Sequence, residues 1–92
     1  MKKAVKIIIS GTVQGMFFKN FIKENADTLK IKGLIRSLET GDIEIIAEGN
    51  QEEIQKFIEV CKNGPKFARI KSLATEERNF SGDFPDFRVL RF

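Results

Sequence analysis

Histidine, tryptophan and tyrosine are absent from this 92-residue chain; cysteine occurs once, as Cys61, and proline twice. Without histidine, a His-based catalytic triad, a histidine proton shuttle and the common histidine metal sites are excluded. A lone thiol has no partner for an internal disulfide and cannot build a cysteine-rich zinc site. No apolar run approaches the ~20 residues that a membrane-spanning helix needs. The opening Met1-Lys2-Lys3-Ala4-Val5-Lys6-Ile7-Ile8-Ile9-Ser10 is basic and then only briefly apolar, so it reads as a strand rather than a signal peptide, and a cytoplasmic location is expected. Any catalysis must run on backbone amides, Lys, Arg, carboxylates and hydroxyls.

The residues present suit one small folded unit. Thirty of them are Ile, Leu, Val or Phe, enough for one core, and a single domain over 1–92 is expected. Sixteen basic against thirteen acidic residues leave a net charge of +3. So small an excess permits an anionic ligand without demanding one.

Residues 3–10 are rich in β-branched side chains and end at Ser10-Gly11, which predicts a strand and a turn. Phe18, Ile22, Ala26 and Leu29 recur at three- and four-residue steps and predict an amphipathic helix over about 18–30. Strands follow at 32–38 and 42–48, joined by the turn Glu39-Thr40-Gly41-Asp42. Asn50 with Glu53 three residues later has the pattern of a capping box for a helix over about 51–62, carrying Ile54, Phe57, Ile58 and Cys61 on one face. Asn63-Gly64-Pro65 stops it. A strand from 67 to about 75, a loop over 79–86 and a short strand over 87–92 complete the chain. The order β-α-β-β-α-β with a short extra strand predicts an α+β, ferredoxin-like sandwich, with two helices on one face of a mostly antiparallel sheet.

The stretch that bears on chemistry is Ser10-Gly11-Thr12-Val13-Gln14-Gly15-Met16-Phe17-Phe18-Lys19. A glycine-bearing crossover from strand to helix leaves backbone N–H groups without partners near the positive end of a helix dipole, where they can cradle an anion. Lys19 can add a cation there or be a solvated helix lysine, and the glycines can serve backbone geometry alone. Cys61, on the apolar stripe, reads as a buried inert thiol. Arg36, Arg69, Lys71, Arg88 and Arg91 fall on strands, with no common side established.

The run Gly11-Thr12-Val13-Gln14-Gly15-Met16-Phe17-Phe18-Lys19-Asn20-Phe21 resembles the signature loop of the acylphosphatase family. The likeness continues through Ala26, Leu29, Gly33, Ile35-Arg36-Ser37 and Gly41-Asp42-Ile43-Glu44. It resumes at Glu48-Gly49, Phe57, Gly64-Pro65-Lys66-Phe67-Ala68-Arg69-Ile70 and Asp86-Phe87-Arg88-Val89, and so spans essentially the whole chain. The resemblance implies a metal-independent, cofactor-free hydrolase of the carboxyl–phosphate bond of acyl phosphates, acting as a monomer on a small anionic substrate. It also implies a phosphate seat over Gln14, Gly15, Met16, Phe17, Phe18 and Lys19. In the family an arginine at the start of the first helix grips the phosphate, and an asparagine at the end of the second strand positions the attacking water.

Both chemistry-bearing positions depart from that pattern. Lys19 stands at the arginine position and Ser37 at the asparagine position, while Thr40 replaces the acid before the turn glycine. Lysine keeps the charge but not the planar fork that takes two phosphate oxygens. Serine can still bind a water, from further back. The expectation is an anion pocket with Lys19 and Ser37 as catalytic residues and with weakened or lost turnover. The alternative is a non-catalytic phosphate-binding or protein-interaction module on the same fold. RNA binding is disfavoured, because the strand over 42–48 has no aromatic residue for base stacking and carries three acids.

Overall fold

The computed structural model describes residues 1–12, 16–66 and 68–90. The β-branched opening forms β1 (Lys2–Thr12), whose alternation buries Val5, Ile7 and Ile9 on one face. The amphipathic stripe forms α1 (Met16–Thr28), followed by β2 (Lys32–Ser37), β3 (Ile43–Asn50), α2 (Gln51–Asn63), β4 (Arg69–Arg78) and β5 (Phe87–Val89). The sheet order is β4-β1-β3-β2-β5, antiparallel throughout except for the parallel β2–β5 pair.

Partner strands, rather than local propensity, set several boundaries. β3 runs two residues past the predicted end because Lys3 and Lys2 pair with Gly49 and Asn50. β4 extends to Arg78 because Ala4 pairs with it. β5 stops at Val89, short of the predicted 92. Phe67, Arg91 and Phe92, where the predicted strands began or ended, lie outside the described residues.

α1 begins at Met16 and ends at Thr28, two residues earlier at each end than predicted. Lys30 adopts a left-handed φ of 58°, and the N–H groups of Ile31 and Lys30 donate to the carbonyls of Ala26 (2.8 Å) and Asp27 (3.1 Å). That pair of backward bonds is the usual glycine-terminated helix stop, here built on a lysine. The capping box is not formed: the Asn50 side chain makes no capping bond, and the first N–H of α2, on Gln51, donates instead to the Met1 carbonyl at 2.9 Å. With Asn50 held in register opposite Lys2, its backbone belongs to the sheet up to the first helical residue.

The two helices bury one sheet face. Phe18 and Ile22 of α1 and Ile54 and Phe57 of α2 pack with Ile7, Ile9, Ile35, Ile43 and Ile45, and Phe57 meets Phe87 edge-on at 5.9 Å. Each such side chain contributes roughly 1.5–3 kcal/mol by leaving water. The opposite face carries Arg36 paired with Glu44 (2.7 Å) and Lys6 paired with Glu76 (3.5 Å). Arg88 is opposite Leu34 and shares that face with Arg36, but Asp86 pairs with it at 3.0 Å. Glu48, also on this face, is 5% exposed and accepts from the Ser81 N–H (3.0 Å), the Ser81 hydroxyl (2.9 Å) and the Gly82 N–H (3.0 Å). A strap following β4 is thereby fastened over the sheet.

Candidate active site

The pairing of β1 with β4 shifts register between Ser10 and Gly11 and runs on to Thr12 opposite Arg69. Gly11 has a φ of 137°, and a Cβ there would run into the Arg69 carbonyl. Only glycine suits that bend. The crossover residues Val13, Gln14 and Gly15, including two of the expected phosphate ligands, lie outside the described residues. On the far side of the crossover Met16, Phe17 and Phe18 form the first turn of α1, where N–H groups have no helical acceptor. No acidic side chain occupies that turn, so nothing in it offsets the positive end of the dipole. Phe18 is buried in the core and fixes the helix, whereas Phe17 is 68% exposed at its head.

Lys19, the fourth residue of α1, is 5% exposed. Its Nζ donates to the Leu90 carbonyl at 2.9 Å. The reading of Lys19 as a solvated helix lysine is therefore overturned. An ammonium has three protons, and this bond uses one. Leu90 also donates its own N–H to the Ile35 carbonyl of β2 at 2.9 Å. One residue thus ties the α1 cation to the strand that ends, two positions later, at Ser37.

Ser37 sits half-buried at the end of β2, opposite Ile43, and shares the helix-facing side of the strand with Ile35. Its hydroxyl has no hydrogen-bond partner among the described residues, which leaves it free to hold a water. The turn beyond is closed by Leu38 N–H to the Asp42 carbonyl (2.8 Å) and Gly41 N–H to the Leu38 carbonyl (3.0 Å). Across the sheet the Ser10 hydroxyl donates to Asp42 Oδ1 at 2.8 Å.

Cys61 is buried in the core, and loss of solvent around the thiol pushes its pKa up to about 12, which makes it inert as a nucleophile. Among the described residues no three His, Cys, Asp or Glu side chains are grouped to hold a metal. Nor is any described helix long and apolar enough to cross a membrane.

The sequence reading missed Leu90 as a neighbour of the site and did not join Ser10 to Asp42. Burial of Lys19 had a signal, since it lies three and seven residues before Ile22 and Ala26 on the apolar stripe. Leu90 acts through main-chain atoms, for which no side-chain pattern exists.

Residues 5–89 match the acylphosphatase family model. The chain is 34% identical over 90 residues to an acylphosphatase of Syntrophus aciditrophicus, covering 98% of this chain and 94% of that one. It is 37% identical over 78 residues to an acylphosphatase of Bacillus subtilis, covering 84% and 86%. The crystal structure of acylphosphatase from Bacillus subtilis superimposes with a TM-score of 0.91 at 31% identity, over 99% of this chain and 100% of that one. The chain belongs to the acylphosphatase family.

Proposed function

We propose that this protein hydrolyses the carboxyl–phosphate bond of small acyl phosphates, with Lys19 and Ser37 in the two catalytic roles. The observation that carries the reading is the buried Lys19 ammonium, fixed by Leu90 at the head of α1. Family membership supports the reaction class. In this reading the phosphoryl oxygens sit on crossover amides around Gln14 and Gly15 and on the first-turn amides of Met16, Phe17 and Phe18. Lys19 supplies the neutralising charge, and the Ser37 hydroxyl orients a water in line with the scissile bond. The water oxygen bonds to phosphorus as the P–O bond to the acyl group breaks. The products are a carboxylate and dihydrogen phosphate, which retains both water protons. A carboxylate leaves without being protonated, so the chemistry needs no general acid and the missing histidine costs nothing.

Turnover is weak in this proposal. Loss of one well-aimed donor to the transition state typically lowers the rate by ~10²–10³, and lysine lacks the second arm of an arginine fork. A nucleophile held ~1 Å out of place can cost a further ~10². The test is metal-free hydrolysis of benzoyl phosphate by the natural protein beside the double variant Lys19→Arg, Ser37→Asn. Slow turnover that rises in the double variant supports the reading. Phosphate binding with no turnover in either protein overturns it in favour of a non-catalytic anion-binding module.

A further inference from the structure

The ladder between β1 and β3 ends at the pair Ile9–Ile43. Beyond it β1 runs on in register with β4 alone. β1 continues through Ser10 to the bend at Gly11 and the crossover, while the β2–β3 turn carries the chain from Ser37 round to Ile43. Main-chain pairing sets Ser37 opposite Ile43 and Ile43 opposite Ile9, and the β1–β3 ladder does not reach past that row to Ser10 and Asp42.

One side chain spans the gap. The Asp42 carboxylate accepts from the Ser10 hydroxyl at 2.8 Å, one residue before the bend. The Asp42 carbonyl accepts from the Leu38 N–H at 2.8 Å, one residue after Ser37. Among the described residues Ser10–Asp42 is the only side-chain bond joining the end of β1 to this turn. We propose that Asp42 is a positioning residue: its two acceptors hold the crossover end of β1 and the Ser37 end of β2 at a fixed separation. Its kinetic consequence rests on the hydrolytic reading above, since in-line attack requires the phosphate seat and the water holder to keep their spacing.

A merely structural role is a weak account of this bond. The turn is already closed by the main chain of Leu38 and Gly41, so its geometry does not depend on this bond. What it does supply is lateral alignment where the ladder has stopped.

The experiment compares Ser10→Ala, Asp42→Ala, the double variant and Asp42→Asn, each with benzoyl phosphate. Asp42→Asn keeps an oxygen in the Oδ1 position. Positional slippage predicts a kcat loss of about tenfold in Ser10→Ala and Asp42→Ala, with KM changed by less than about twofold. The double variant falls no further than the single ones, and Asp42→Asn recovers most of the rate. Unchanged kcat, or losses that multiply in the double variant, would overturn the proposal. If the natural protein itself shows no turnover, the hydrolytic reading fails, and the clamp is judged by hydrogen exchange of the Leu38 amide. Faster exchange in Ser10→Ala supports the link through Asp42, and unchanged exchange refutes it.

Discussion

The Lys19 side chain ends on the backbone carbonyl of Leu90, 2.9 Å from Nζ, although the two residues are 71 positions apart. Nothing in the chemistry of leucine calls for a buried cation. The contact exists because Leu90 follows β5, the parallel edge strand, and its N–H is already bound to Ile35. The sheet edge thereby fixes a rigid acceptor, and the acceptor holds a flexible lysine stem in one place.

Removing the Lys19 charge should be felt by any oxyanion at the head of α1. A charge-assisted hydrogen bond is worth about 1.5–3 kcal/mol, so Lys19→Ala is expected to weaken phosphate binding by about 10- to 100-fold. Isothermal titration with inorganic phosphate measures this, with circular dichroism to establish folding. Affinity equal to that of the natural protein would remove Lys19 from the site.

The core and the element order were legible because they rest on periodicity. Phe18, Ile22 and Ala26 of α1, and Val5, Ile7 and Ile9 of β1, lie where three- to four-residue and two-residue spacing put them. Element ends were less legible. Lys30 terminates α1 in a conformation that composition assigns to glycine, and Asn50 has a capping side chain that the sheet register leaves unused. At the site, Lys19 could be found from its place on the apolar stripe. Its acceptor is a main-chain oxygen, and the clamp at Asp42 joins residues 32 apart, so neither had a local signature.

Lys30 is the one non-glycine residue with positive φ among those described. A side chain in that region costs about 1–2 kcal/mol, part of which a cation beside the negative end of α1 offsets. Lys30→Gly is therefore expected to raise stability by about 0.5–1 kcal/mol. A urea titration should show a higher midpoint with an unchanged slope. A lower midpoint would mean that the lysine charge contributes more than its backbone strain costs.

Burial of Cys61 couples stability to alkaline pH. The thiol titrates near 9.0 when exposed and at about 12 in the fold. Below pH 9 both states keep the proton, and this group adds no pH dependence. Between about pH 9 and 12 the unfolded chain loses it while the folded chain keeps it, so stability falls by up to about 1.4 kcal/mol per pH unit. Cys61→Ala is expected to flatten that part of the curve while lowering stability at neutral pH through the small cavity it leaves. Equal alkaline slopes in the two proteins would show that other groups control the decline.

Glu48 makes its strongest contacts with a loop, not with a cation. Its carboxylate takes three donors, from Ser81 and Gly82, at 2.9–3.0 Å. Those donors belong to the strap lying over Ala4 and Ile46, which are buried although they face away from the helices. Glu48→Ala removes all three acceptor bonds and leaves two backbone N–H groups to find water, while Lys32, its cross-strand neighbour, is exposed. The expected loss is about 1.5–3 kcal/mol, the range for bonds to a charged group. Because the strap carries no ladder bonds of its own, it should also open before the sheet does, so limited proteolysis is expected to cut first within 79–84. Glu48→Gln separates the two effects: it keeps the volume and one acceptor oxygen, and should cost less in stability while still loosening the strap. Strap cleavage at the same rate in all three proteins would show that the fastening lies elsewhere.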